Sequence, residues 1–187
     1  MGRVMSLINS TPDGFVDGKL AVIDAEYYDF THGLLANAST IAFGRNTFEM
    51  FQDRWMAILE DEKKLEWQRK MARALNEKHK AVYSSTLKTT KWNNSFIEQK
   101  VDVEQINVYK QEGKGGLVTF GSLELVAALT EMHLIDDYYF CIQPLIAGNG
   151  DLRLFSKLKL DTNRSLRYRN STTLKSGVHI IHYQSEN

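Results

Sequence analysis

Three apolar runs of the sequence end on small or hydroxyl residues, which are residue types that can bind a phosphate. "IAFG" leads into "RNT" at Gly44, "AVYS" leads into "ST" at Ser84, and "VTFG" leads into "SLE" at Gly121. A strand that turns directly into a helix exposes backbone N–H groups, which can bind an anion. Each of these strand ends, taken alone, is also typical of an ordinary turn without a ligand. Together they predict one groove, because ligands of open α/β sheets bind beyond the carboxyl ends of the strands.

The residues at these strand ends differ in what they offer to a phosphate. Gly44 lets the backbone approach a ligand closely, and Arg45 presents a forked guanidinium donor. Hydroxyls follow the second run and N–H groups the third: Ser84, Ser85, Thr86, Gly121, Ser122 and Leu123. Because the sequence has neither a Walker motif nor a G-x-G-x-x-G, no P-loop or Rossmann site is predicted.

The elements that must position these residues follow from apolar periodicity. Strands and helices alternate through most of the chain, and residues 160 to 184 then form two consecutive strands. Their turn falls near Asn170-Ser171 or at Ser176-Gly177. We expect mixed helical structure in "FIEQKVDVEQINVYKQEGKG" and a turn with a short helix in "NGDLRLFSK". This order predicts one three-layer α/β domain over residues 1–187, with a mostly parallel sheet and an antiparallel C-terminal edge.

Composition excludes several classes of protein. The 187 residues carry 23 basic and 23 acidic side chains, so a nucleic-acid partner is not expected. The single cysteine, Cys141, excludes a disulfide framework and fits a reducing compartment such as the cytoplasm. No apolar stretch approaches the ~18 residues of a membrane helix. His179 and His182 are spaced for opposite faces of a strand, so no metal site is predicted.

Longer stretches resemble the dihydrofolate-reductase-like superfamily, in the branch of the riboflavin-biosynthesis reductase C-terminal domain. They are "DGFVDG", "FGRNTFEMF", "VYSSTL" with "KWNN", and "TFGSLELVAALTEMHLIDDYYFCIQPLIAGNGDLRLF". The last stretch matches the family pattern at Gly121, Ser122, Leu134, Ile135, Asp136, Asp137, Pro144, Gly148, Gly150, Leu154 and Phe155. The resemblance implies a three-layer α/β/α dihydrofolate-reductase-like fold.

The resemblance also implies NADPH as cofactor and hydride transfer to a small heterocyclic or sugar-derived substrate. In the riboflavin branch that substrate is 5-amino-6-(5-phosphoribosylamino)uracil. Gly44, Arg45 and Thr47 match the motif on the pyrophosphate and 2′-phosphate side of the cofactor. Ser84 and Ser85 match the serine pair near the adenosine phosphate. The phosphate-cradling turn is matched by Gly121, Ser122, Leu123 and Glu124.

The proton donor of such a reductase is not assigned by the sequence. Dihydrofolate reductases carry an acid on the first helix, where this chain has Asp24, Glu26 and Asp29. Asp24 is equally a helix N-cap, and no catalytic residue is named. The alternative is a non-catalytic nucleotide-binding module that keeps the fold. Tyr138 to Phe140 are sheet core or the face of a homodimer.

Overall fold

The computed structural model describes residues 2–111 and 115–186. The strands are β1 (Arg3–Ser10), β2 (Thr40–Gly44), β3 (His79–Tyr83), β4 (Ser95–Glu98), β5 (Gly116–Phe120), β6 (Asp137–Ile142), β7 (Leu166–Thr173) and β8 (His179–Ser185). The helices are α1 (Ala25–Ala36), α2 (Arg45–Glu60), α3 (Glu66–Glu77), α4 (Val103–Gln111) and α5 (Leu123–Glu131).

The eight strands of the described residues form one sheet, in the order β4-β3-β2-β5-β1-β6-β8-β7. The pairs from β4 to β6 are parallel, whereas β8 is antiparallel to both β6 and β7. The predicted parallel sheet with an antiparallel C-terminal edge is therefore confirmed. The turn between the last two strands contains Ser176-Gly177, the second of the two predicted positions. Asn170-Ser171 instead lies within β7, next to a shift in its register with β8.

Two apolar cores cover the two faces of the sheet, because successive strand residues point to opposite sides. Leu7 and Phe43 face α1, α2 and α3, where Leu75 is buried. Val4 and Ile8 face α4 and α5. The molecule thus has three layers, as predicted. No helix within residues 2–111 and 115–186 combines the length and apolar character needed to cross a bilayer.

Two local predictions are wrong. Residues 96–98, predicted as the start of a helical segment, belong to the edge strand β4, which pairs with β3 through Lys80 and Ser95. Four partly exposed residues at a sheet edge give too short a pattern to distinguish from a helix. The stretch 149–157 forms no helix, and Gly150 takes a positive φ of 156°. A backbone bridge joins Phe15 and Arg153 there.

A buried lysine closes the C-terminal end of α3. The Lys80 ammonium donates to the carbonyl oxygens of Asn76 and Lys78, at 3.1 and 2.7 Å. It also lies 4.7 Å from the centre of the Trp92 ring. A cation stabilises the last carbonyls of a helix, where the dipole is negative. Burial nevertheless lowers the pKa of Lys80 to about 8, so its charge is held at a cost in free energy.

The aromatic residues of β6 belong to the sheet core. Tyr138 is buried, and its hydroxyl donates to Thr130 Oγ1 at 2.9 Å. Tyr139 stacks on His182 with ring centres 4.3 Å apart, and Phe140 contacts Phe155 edge-on. Each ring already has a partner within the chain. The homodimer predicted as the alternative stays a prediction.

Candidate functional site

The structure brings the three predicted strand ends to one edge of the sheet. β3, β2 and β5 are parallel neighbours, so their carboxyl ends lie side by side. The Gly44 N–H donates to Ser122 Oγ at 3.0 Å, which joins the end of β2 to the end of β5. Arg45 Nη1 donates to Thr86 Oγ1 at 2.8 Å, which joins β2 to the segment after β3. The three predicted strand ends therefore form one continuous edge of the sheet, and the phosphate groove at this edge stays a prediction.

Two helices begin next to each other at this edge, without side-chain caps. α2 starts after Gly44 and α5 starts after Ser122. Ser122 takes a left-handed backbone conformation, with φ 43° and ψ 58°. Its hydroxyl oxygen accepts the Gly44 N–H and does not cap its own helix. Among the residues that the structure describes, no side chain caps either helix. The first N–H groups of both helices are thus left to a ligand or to water, and both dipoles favour an anion there.

The turn at Gly121 leaves open space above the backbone. Gly121 has φ 71°, a conformation that favours glycine, and its N–H donates to the Leu7 carbonyl at 2.9 Å. A Cβ added at Gly121 would meet no other atom within 4 Å. At Gly44, where φ is −79°, a Cβ would come within 3.8 Å of Ser122 Oγ. The backbone at Gly121, more than at Gly44, requires glycine.

The predicted side chains around this turn have unequal roles. Arg45 is exposed, and besides Thr86 it contacts Glu49, with Nε 3.1 Å from Oε1. Ser84 is buried, and its hydroxyl accepts the N–H groups of Thr86 and Leu87 at 3.2 and 3.0 Å. Ser84 therefore builds the turn after β3 and does not offer a free hydroxyl.

The other predicted residues lie on the same edge but differ in exposure. Ser85 is exposed beside Ser84, and Thr47 is half-buried in the first turn of α2. Leu123 packs against the core under α5, so that only its backbone N–H remains for a ligand. Glu124 is exposed in the first turn of α5. A carboxylate there interacts favourably with the helix dipole but repels a phosphate.

The three carboxylates considered as proton donors are occupied elsewhere or exposed. Asp24 Oδ1 accepts the Tyr27 N–H at 2.9 Å, so it is the N-cap of α1. Glu26 Oε2 accepts the Lys175 N–H at 2.8 Å and so ties the turn before β8 to α1. Asp29 is exposed on α1. The structure thus gives Asp24 and Glu26 structural contacts.

A polar network at the ends of β1 and β6 was not predicted. Asn9 Nδ2 donates to the Tyr27 hydroxyl at 2.8 Å, and Gln143 Nε2 donates to Asn9 Oδ1 at 2.9 Å. Gln143 Oε1 accepts the Val22 N–H at 2.7 Å. Burial raises the pKa of Tyr27 well above its ordinary value, so the phenol stays neutral. Since β1 lies between β5 and β6, these amides continue the edge that begins at β3. The signal was present: Asn9 and Gln143 are also polar residues that end apolar runs.

The loop after β1 is fastened to the loop that follows β6. Asp13 Oδ2 accepts the Gly148 N–H at 2.8 Å. The Thr11 hydroxyl and the Gly148 N–H together lower the pKa of Asp13 to about 2. The Arg153 guanidinium lies 4.1 Å from the centre of the Phe15 ring. The loop containing Pro12 is therefore held in place beside the end of β1.

The two histidines of β8 have separate partners. His179 Nδ1 lies 2.8 Å from Thr173 Oγ1, and His182 Nε2 lies 2.8 Å from Asp137 Oδ1. Within the part of the chain that the structure describes, no three His, Cys, Asp or Glu residues are grouped so that they could hold a metal ion.

This sheet order with its antiparallel C-terminal hairpin defines a dihydrofolate-reductase-like fold. A solved dihydrofolate reductase from Enterococcus faecalis, complexed with NADP(H) and RAB-propyl, superimposes with a TM-score of 0.58 at 13% identity, covering 100% of this chain and 98% of that chain. Within this class the family is defined by sequence: residues 10–180 match the RibD C-terminal domain, and the chain belongs to that family. The resemblance inferred from the sequence is confirmed.

Two further solved structures share the fold. A putative riboflavin biosynthesis protein from Shewanella sp. PV-4 has a TM-score of 0.71 at 16% identity, with 99% of both chains covered. The deaminase/5-amino-6-(5-phosphoribosylamino)uracil reductase of Thermotoga maritima has a TM-score of 0.68 at 16% identity, covering 99% of this chain and 57% of that chain. Among curated proteins, no sequence is significantly similar to this one. The family favours an oxidoreductase of the kind found in riboflavin biosynthesis.

Proposed function

We propose that this chain is an NADPH-dependent reductase of a small heterocyclic or sugar-derived substrate. The observation that carries the proposal is the pair of adjacent helix starts, α2 and α5, linked by the Gly44–Ser122 hydrogen bond. Each helix start carries about half a positive charge, so two of them beside the open turn at Gly121 suit a diphosphate.

The 2′-phosphate of the cofactor would lie near Arg45. The guanidinium is exposed and reaches across to Thr86, beside Ser84 and Ser85. Thr47 and Glu124 lie in the first turns of the two helices and match the cofactor-binding motif of the family. The Enterococcus faecalis relative, described as complexed with NADP(H), supports this choice of cofactor.

The protein's part in the reaction is to bind, orient and shield. The chemistry supplied by the cofactor when bound is hydride transfer, whereas this chain supplies position and electrostatics. The N–H groups of α2 and α5 would hold the phosphates, and the loop fastened by Asp13 and Gly148 would cover the reactive end. Asn9 and Gln143 bind each other, Tyr27 and Val22, so they would hold the ends of β1 and β6 in place beside the substrate.

Two measurements test this function. Titration with NADPH, followed by cofactor fluorescence, should show saturable binding. Addition of 5-amino-6-(5-phosphoribosylamino)uracil, the substrate named for the Thermotoga maritima relative, should then consume NADPH. Failure to bind either NADPH or NADH would refute the proposal.

The second candidate is a nucleotide-binding module without catalytic activity. The contacts of Asp24 and Glu26 favour it, because two of the three carboxylates considered as proton donors have structural roles. Binding of NADPH without turnover of any ribosylaminopyrimidine substrate would support the module over the enzyme. Under either candidate we expect one domain over residues 1–187, in the cytoplasm and as a homodimer, and light scattering of the purified protein tests the last point.

A further inference from the structure

Arg45 already has an anionic partner on its own helix. Its Nε lies 3.1 Å from Oε1 of Glu49, one turn further along α2, while Nη1 is held by Thr86 Oγ1 at 2.8 Å. We propose that Glu49 is a specificity-determining residue, which competes with the 2′-phosphate for Arg45 and limits the preference for NADPH over NADH. This inference rests on the proposed function, since it concerns the same binding edge.

The ion pair is placed so that a ligand can displace it. The side chains of Arg45 and Glu49 are 46% and 41% exposed, and exposed pairs at this helical spacing are weak. A phosphate brings more charge than a carboxylate and forms charge-assisted hydrogen bonds with a guanidinium. Thr86 holds the other end of the guanidinium towards the end of β3, so the group stays in place when its carboxylate partner changes.

Displacement does not remove the charge of Glu49. The residue is fixed to α2 only four positions from Arg45, so its carboxylate remains within a few ångströms of any phosphate that Arg45 binds. The two anions repel each other through a solvent-exposed, salt-screened medium. NADH carries a neutral hydroxyl where NADPH carries this phosphate. Glu49 should therefore weaken the binding of NADPH alone.

The test is the neutral variant Glu49→Gln, which keeps the shape of the side chain. Dissociation constants for NADPH and NADH are measured by fluorescence at low and high salt. We expect NADPH to bind about three- to tenfold more tightly to the variant, with NADH changed by less than about twofold. The gain should shrink at high salt, because exposed charges are screened.

Asp53→Asn is the matched control. Asp53 is exposed on the same helix, about 12 Å further along its axis from Arg45, and its neutralisation should leave both constants unchanged. The inference is overturned if Glu49→Gln weakens NADPH, changes both cofactors equally, changes neither, or is matched by Asp53→Asn. If neither the native protein nor either variant binds NADPH or NADH, the proposed function is refuted together with the inference. If the native protein binds NADPH but Glu49→Gln gives one of the outcomes above, the inference alone is refuted.

Discussion

Replacing Gly121 by alanine tests whether a diphosphate lies at the β5–α5 turn. The φ of 71° at this position costs a residue with a Cβ roughly 1–2 kcal/mol, although the Cβ itself meets no protein atom within 4 Å. For a chain of this size that loss lowers Tm by about 2–8 °C, so the variant should stay folded. The same Cβ would occupy the space proposed for the phosphate, and we expect NADPH binding to weaken at least about tenfold, or about 1.4 kcal/mol.

Gly177→Ala is the control, because it separates strain from binding. Gly177 has φ 87°, and a Cβ there would lie 3.3 Å from Pro144 Cβ, but the residue is in the β7–β8 turn and not at the β5–α5 turn. The two variants should lose similar Tm, measured by calorimetry, and only Gly121→Ala should lose affinity, measured by NADPH fluorescence on the same samples. A folded Gly121→Ala protein with unchanged affinity would show that the phosphate binds elsewhere.

Three further predictions follow from single side chains. Arg45→Ala should weaken the binding of NADPH by about 1 kcal/mol more than the binding of NADH, a low value for a charge-assisted hydrogen bond because Arg45 is exposed. Equal losses of affinity for the two cofactors in fluorescence titrations would exclude a contact between Arg45 and the 2′-phosphate. Burial raises the pKa of Cys141 to about 12, so iodoacetamide at pH 8 should modify the thiol only after denaturation. Mass spectrometry measures the modification, and rapid modification of the native protein would contradict the burial of the thiol. Burial lowers the pKa of Lys80 from 10.5 to about 8, so between these pH values the unfolded chain binds the proton that the folded chain has lost, and folding gains stability as pH rises through this window. The free energy of unfolding in urea should therefore rise for the native protein relative to the Lys80→Met variant between pH 8 and 10. A difference between the two proteins that stays constant over this range would refute the role of that titration.

The fold was predictable where local pattern and pairing agree. β1, β2, β3, β5 and β6 are apolar runs bounded by turn residues, and the N-cap Asp24 has the usual helix-start spacing. β4 was missed because its four residues become a strand only through pairing with β3. Such pairing is tertiary information, which a short window of sequence does not contain.

The candidate site was predictable in its backbone and less so in its side chains. Gly121 and Ser122 could be placed at a strand-to-helix turn because both neighbouring elements are strongly patterned. The contact between Asn9 and Gln143 spans 134 positions, and that between Glu26 and Lys175 spans 149. No periodicity relates residues so far apart, so the roles of these side chains appear only once the sheet is assembled.

The position of β1 between β5 and β6 has a consequence for how the chain is made. Among the residues that the structure describes, β1 pairs with β5 and β6, which begin at Gly116 and Asp137 and are synthesised later. The apolar segment of β1 therefore lacks both neighbouring strands until β5 and β6 have been synthesised, and contacts so distant in sequence form slowly. Nascent chains in this state expose a β-prone segment that can associate with other chains. We expect the yield of folded protein to depend on synthesis rate, temperature and the supply of chaperones that bind extended apolar segments.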